Sequence, residues 1–316
     1  DTISIVAFGG DYAFHIALDM HYSYEVISYL LHEYPRAAFT LDSNDVMPLR
    51  KCIKERFPND VILMLLEANP DAVREIDEYE RYAIHYAASR NYSDEVIGEL
   101  IRIFPSSIRL CDKNGQLPLH IALVHEDNFQ VIQNLITYYP EGALVTDDKN
   151  YLPLHYAIEN SYETAIVEYL LAAGPTATQY LCKGRLALHM SIEFKHGYNT
   201  IQAILNIYKD AIFKPCESTD EKLNKILPLH LAIERQLGED VQFLLLGAYQ
   251  DDGSGGDAIS TDAKGLFPIH YAVKYHATLP VVTKLLDMFP EIVEIKYNHT
   301  NNKLLIHYAA DVQAPY

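Results

Sequence analysis

The sequence predicts an all-α solenoid of stacked helix–turn–helix repeats linked by short hairpin-like turn fingers, on three observations. A seven-residue segment recurs: Leu117-Pro118-Leu119-His120-Ile121-Ala122-Leu123 returns as Leu152-Pro153-Leu154-His155-Tyr156-Ala157-Ile158, as Leu227-Pro228-Leu229-His230-Leu231-Ala232-Ile233 and as Phe267-Pro268-Ile269-His270-Tyr271-Ala272-Val273. Weaker copies centre on His15, His85, His189 and His307, and Met47-Pro48-Leu49-Arg50-Lys51-Cys52-Ile53 carries Arg50 in the histidine slot. The slots at 15, 50, 85, 120 and 155 lie 35 residues apart. A proline follows many slots at a distance of 20 residues, as Pro35, Pro70, Pro105, Pro140, Pro175 and Pro290. A fixed period of this size marks a stack in which no single repeat encloses a core of its own.

The stretch Asp112–Thr146 shows why each element forms. Asp112-Lys113-Asn114-Gly115 is a turn signal, with an acceptor side chain first and glycine fourth. Pro118 suits the first turn of a helix, where a missing N–H costs nothing. Leu119, Ala122 and Leu123 then place one apolar face at helical spacing, and Ala122 is small because a neighbouring helix must approach there. Glu126-Asp127-Asn128 breaks that helix. The second helix buries Val131, Ile132, Leu135 and Ile136 and is stopped at Tyr139-Pro140, because proline cannot supply the N–H that the ladder requires. An extended return leads to the next turn.

Applied along the chain, this unit divides the sequence into repeats at 1–41, 42–76, 77–111, 112–146, 147–180, 181–221, 222–261, 262–298 and a partial 299–316. The intervals 189→230 and 230→270 are 41 and 40 residues, so two successive repeats carry insertions. The first falls in Phe213–Lys222. The second is Asp251-Asp252-Gly253-Ser254-Gly255-Gly256-Asp257, after a second helix without its proline stop. The glycine run lacks the Gly-Lys-Ser/Thr ending of a phosphate loop, and Asp251, Asp252 and Asp257 would repel phosphate. It reads as a surface loop. Leu304, Leu305, Ile306 and Tyr308 form an apolar first helix with no second helix after it, so further chain or another subunit is expected to cover it.

Composition narrows the function classes. The chain is 49% hydrophobic and 22% charged, as expected of an ordered chain, and no apolar run reaches the roughly 18 residues that span a bilayer. Asp1-Thr2-Ile3-Ser4 shows no secretory signal. A net charge of −18 argues against nucleic acid as the main partner, because phosphate must be neutralised by cations. Cys52, Cys111, Cys182 and Cys216 contain no Cys-x-x-Cys pair. Cys111 and Cys182 lie two repeats apart, about 20 Å for helices stacked about 10 Å apart, whereas a disulfide needs Cα atoms within about 7 Å. A reducing, intracellular compartment follows from that usage. Sequons at Asn91-Tyr92-Ser93 and Asn298-His299-Thr300 are expected by chance.

These repeats together resemble the ankyrin family, whose signature is Thr-Pro-Leu-His-x-Ala at a period of 33. Leu117, Leu152, Leu227 and Phe267 replace the threonine, and the 35-residue unit resembles a divergent leucine-proline-leucine-histidine subtype. The resemblance implies that His15, His85, His120, His155, His189, His230, His270 and His307 are struts hydrogen-bonded to backbone near the turns. Spacing agrees, since neighbouring slots lie a repeat apart, far beyond the roughly 2 Å bonds of a shared zinc ion. The family also implies a non-catalytic protein-binding scaffold, without cofactor or metal, that holds its partner on a concave face and the turn tips. A recruitment or regulatory arm of a larger enzyme or channel, or a structural subunit of a large assembly, are the alternatives.

The tips are the four residues from seven to four before each slot. For the slots from 85 to 307 they hold Arg81, Lys113, Lys149, Lys183, Arg185, Lys225, Lys264 and Lys303, eight of the chain's 25 lysines and arginines, against only Glu78, Glu80 and Asp148 among its 43 acids. A basic row in so acidic a chain is expected to steer an acidic protein segment. Tyr79, Tyr151, Arg90, Phe194, Arg235 and Tyr275 are of the types enriched as binding anchors.

Overall fold

The computed structural model describes residues 13–124, 129–217, 225–250, 261–295 and 304–311. Within these the fold is all-α, and the only bridge is an isolated one between Cys182 and Arg185. Two compact bodies divide the chain, 1–156 and 157–316, with the division inside one helix. The first body pairs α1 (Ala13–Asp19) with α2 (Tyr24–Glu33), α3 (Pro48–Lys54) with α4 (Asn59–Ala68), α5 (Ala83–Ser89) with α6 (Asp94–Ile103), and α7 (Pro118–Ala122) with α8 (Phe129–Tyr138). The helix at the division is α9 (Pro153–Glu159). In the second body α10 (Thr164–Ala173) is followed by the pairs α11 (Ala187–Glu193) and α12 (Tyr198–Ile207), α13 (Pro228–Glu234) and α14 (Glu239–Gln250), α15 (Pro268–Lys274) and α16 (Leu279–Met288), then by α17 (Leu305–Asp311). First helices pack side by side in each body, as do second helices.

The packing follows from the period. Second helices bury adjacent pairs one turn apart: Val96, Ile97, Leu100 and Ile101 on α6, and Ile166, Val167, Leu170 and Leu171 on α10. That four-residue stripe is wide enough to meet its own first helix and the neighbouring second helix together. The slot two after the histidine is small and buried in repeat after repeat, as Ala17, Cys52, Ala87, Ala122, Ala157, Ser191, Ala232 and Ala272. Cys52 is thus a packing residue in an alanine slot, and burial pushes its thiol pKa well up. None of the four cysteines is in a disulfide, and Cys111 is exposed.

One element was not legible in the sequence. The expected extended return begins with a turn of 3₁₀ helix, at Pro35–Phe39, Pro70–Arg74, Pro105–Arg109, Pro140–Leu144, Pro175–Gln179, Lys209–Phe213 and Pro290–Val293. The recurrent proline therefore does two things: it ends the second helix and occupies the first position of the 3₁₀ turn, where its fixed φ fits. Lys209 shows that proline is not obligatory there. α14, which also lacks a proline after it, runs to 12 residues, whereas α12 ends after 10, ahead of Lys209.

First and second helices are joined by a Schellman ending. In the repeat of α3 the Phe57 N–H donates to the Cys52 carbonyl and the Arg56 N–H to the Ile53 carbonyl, and His196 with Lys195 repeats this after α11. The residue six after the slot is left-handed, as His21, Arg56, Asn91, Ser161, Lys195, Gln236 and His276, with φ of 49–62°. None is glycine, so each stores backbone strain that packing must offset. The next residue reaches inward: the Tyr92 hydroxyl donates to the Phe57 carbonyl at 3.0 Å, and His196 Nε2 to the Ile158 carbonyl at 2.8 Å. Carbonyls left over at one helix end are thus satisfied by the following repeat.

Six of the buried slot histidines, all but His189, do the same for the turns. His15, His85, His120, His155, His189, His230 and His270 are 0% exposed. His120 Nδ1 accepts the Leu117 N–H at 3.0 Å, and its Nε2 faces the Val145 carbonyl at 3.1 Å. A backbone N–H can only donate and a carbonyl only accept, so the ring is neutral with its proton on Nε2. His85, His155 and His270 accept the corresponding N–H, while His15 and His230 reach the carbonyls of Thr40 and Leu266. His307 differs: it accepts the Leu304 N–H but is exposed. In the second repeat Arg50 takes the strut's place, donating to the carbonyls of Ile76 at 2.9 Å and Asp45 at 3.2 Å.

Parts of the sequence reading lie outside the described residues: the helix break at Glu126-Asp127-Asn128, residues 218–224 of the first insertion, the Asp251–Asp257 loop, Asn298-His299-Thr300 and Lys303.

Two outcomes are expected. His120→Ala strands the Leu117 N–H and the Val145 carbonyl in the interior, and should lower stability by about 1–3 kcal/mol in urea unfolding. Burial, the largest cause, lowers His85, His189, His230 and His270 from the ordinary 6.5 to about 4. Between those values the unfolded chain binds more protons than the folded one. Stability should be complete above pH 6.5 and fall towards pH 4, by about 1.4 kcal/mol per histidine per pH unit. The urea midpoint followed across that range measures it.

Candidate protein-binding surface

Five of the turn fingers are built on an aspartate, buried except at Asp77, while Cys182 and Cys216 begin the fingers that carry Lys183 and Lys225. Asp112 Oδ1 accepts the N–H groups of Asn114 and Gln116, and Asp42, Asp77, Asp147 and Asp262 do the same two and four residues on. The second carboxylate oxygen needs a partner from elsewhere. Asp77, Asp147 and Asp262 receive the hydroxyls of Tyr86, Tyr156 and Tyr271, each nine residues on. Lys51 occupies that position for Asp42, at 3.3 Å, and also binds Asp19. Ile121 occupies it for Asp112, and there Arg81 of the preceding finger supplies the bond at 2.9 Å. Burial, the largest influence, would raise Asp42 and Asp77, but the hydrogen bonds together hold both below the usual carboxylate range.

Neighbouring fingers are tied by backbone. The Lys113 N–H donates to the Tyr79 carbonyl at 2.9 Å and the Asp148 N–H to the Asn114 carbonyl at 3.1 Å. In the second body the Glu217 N–H donates to Gly184 at 2.7 Å. Gly115, at φ +72°, sits in this seam, where a Cβ would come within 2.6 Å of Asp148 Oδ1. Glu80, Asn150 and Lys225 hold the equivalent left-handed position without glycine. Within each body the fingers thus form a ledge of fixed backbone that presents side chains outward.

On this ledge the structure separates the predicted residues. Lys113 and Lys149 in the first body, and Lys183, Lys225 and Lys264 in the second, are exposed. Tyr79 is exposed beside Arg81, whose guanidinium lies 5.8 Å from its ring centroid. Arg81 and Arg185 are committed to ion pairs inside the protein, with Asp112 and Glu193 respectively. Tyr151 is a correction: it is only 5% exposed, its ring turned inward 5.3 Å from that of Tyr156 and 6.1 Å from that of His155, so it serves the core and is no surface anchor. Arg90, Phe194, Arg235 and Tyr275 are half-buried. All four hold the slot five residues after the histidine position, at the exposed end of the first helix.

Sequence reasoning missed the tyrosine–aspartate clasp, although a tyrosine nine residues after a turn aspartate is a visible signal. It also missed the stacking of Arg74 and Arg109 on Phe104 and Tyr139, at 4.6 and 4.7 Å, which ties each 3₁₀ turn to the end of the next second helix. Among the described residues no group of three His, Cys, Asp or Glu is placed to hold a metal ion, and no helix is long and apolar enough to cross a membrane.

Comparison with known proteins agrees with this geometry. Residues 84–180 and 120–213 match the family model described as ankyrin repeats (3 copies). That family's repeats are generally protein–protein interaction modules and typically non-catalytic. No curated protein matches the chain.

Proposed function

We propose that the chain is a non-catalytic scaffold of ankyrin type that binds acidic segments of a partner protein on the turn fingers and the exposed first-helix ends of each body. The observation that carries this reading is the set of exposed lysines, Lys113, Lys149, Lys183, Lys225 and Lys264, on the fingers of a chain whose net charge is −18. Within each body, side chains on a fixed ledge lose little freedom on binding, and like charges set against an overall opposite field select a complementary partner and speed its encounter. The arginines of the row add less to steering, because Arg81 and Arg185 are already neutralised by Asp112 and Glu193.

The test is the variant Lys113→Glu, Lys149→Glu, Lys183→Glu, Lys264→Glu of the full chain. Proteins retained on tagged wild type and variant are compared quantitatively, in low and physiological salt. Retention of partners with acidic segments should fall by about tenfold, with weaker salt dependence, while the urea midpoint stays unchanged. Undiminished retention contradicts the proposal.

A further inference from the structure

The slot five residues after the histidine position holds Phe194, Arg235 and Tyr275 in three successive repeats of the second body. Their helices α11, α13 and α15 pack side by side, so the three side chains form a short row, aromatic–arginine–aromatic, spaced by about 10 Å between neighbours. Each is half-buried, rooted in the protein with its outer part open.

Arg235 is under-used by the protein. Its Nη2 lies 3.9 Å from Glu193 Oε1, the outer limit of an ion pair, and its buried Nε has no hydrogen-bond partner among the described residues. The side chain retains 35% exposure. Glu193 is already engaged by Arg185, whose side chain is only 11% exposed. One carboxylate is therefore shared by two guanidinium groups, which leaves a fork of donors on Arg235 available to a second carboxylate.

The flank is pre-set. The Tyr275 hydroxyl donates to Glu234 Oε1 at 3.2 Å, Gln236 Nε2 to the Tyr275 carbonyl at 3.3 Å, and the Lys274 ammonium lies 4.8 Å from the Tyr275 ring centroid. A fixed aromatic ring on a helix end loses little freedom when it is covered.

We propose that Phe194, Arg235 and Tyr275 form a receptor for one carboxylate-bearing side chain of a partner segment, flanked on that segment by apolar side chains that cover the two rings. This rests on the protein-binding reading and narrows it: the lysines of the fingers steer, and Arg235 selects an Asp or Glu at one position. The partner class is an acidic peptide with interspersed apolar residues, bound by a bidentate carboxylate–arginine pair.

The test selects dodecapeptides from a random display library on the immobilised full chain, then measures the enriched peptides, fluorescein-labelled, against variants. Enriched peptides should share one Asp or Glu with apolar neighbours. Arg235→Gln should weaken them at least tenfold, and Phe194→Ala and Tyr275→Ala by less. Glu193→Gln removes the competing carboxylate and should tighten them, a change of sign that mere loss of fold would not produce. Urea midpoints of all variants serve as the control. Peptides that bind but are indifferent to Arg235→Gln overturn this inference and leave the scaffold reading standing, with its lysine reversals as the separate check. If no peptide is enriched, the receptor is overturned, and the finger lysines are judged by partner retention alone.

Discussion

The structure depends on one constraint: every turn and helix end leaves backbone donors and acceptors that water cannot reach once repeats are stacked. The slot histidine is a neutral side chain that can accept at one ring atom while donating at the other, across the distance between its own helix start and the neighbouring return segment. His120 links the Leu117 N–H to the Val145 carbonyl in this way. An apolar residue would leave both groups unpaired, at the cost that attaches to buried unsatisfied polar groups. Arg50 meets only the acceptor half of the same demand, and it does so from a more exposed position.

The same logic produces the ledge of fingers. In five fingers an aspartate (Asp42, Asp77, Asp112, Asp147 or Asp262) accepts two N–H groups, which leaves its second oxygen charged and in need of a donor. Tyrosine, lysine or a neighbouring arginine supplies one. Because these bonds consume the inward-facing groups, what the fingers offer outward is free to vary without loss of fold. Lysines can therefore accumulate there although the chain as a whole is strongly acidic. The cost of the arrangement is visible in the left-handed residues that are not glycine, tolerated because hydrogen bonds on both sides over-determine the backbone.

The repeat unit, its helices and their buried faces were legible in the sequence, because a 35-residue period with fixed proline, histidine and alanine slots repeats the same physical demand many times. The 3₁₀ turn was not, since proline after an aromatic residue signals a helix stop as readily as a new start. Tyr151 was misplaced as a surface anchor because a turn position does not reveal which way its ring points; next to Tyr156 and His155 the aromatic cluster drew it inward. Likewise Arg81 and Arg185 read as members of a basic row, and only the placement of Asp112 and Glu193 shows their charges spent internally. Single positions in a repeat carry one instance of a signal, and one instance does not separate core from surface.

The protonation state of the buried slot histidines tests the account most directly. Long-range proton–nitrogen correlation spectra of histidine-labelled protein at neutral pH report, ring by ring, which nitrogen carries the proton. His120 and its buried counterparts should appear as neutral rings protonated at Nε2, with Nδ1 bare as the acceptor of an amide. Rings protonated at Nδ1, or charged imidazolium in the folded protein at that pH, would contradict the bridging role on which the rest of the structure is built.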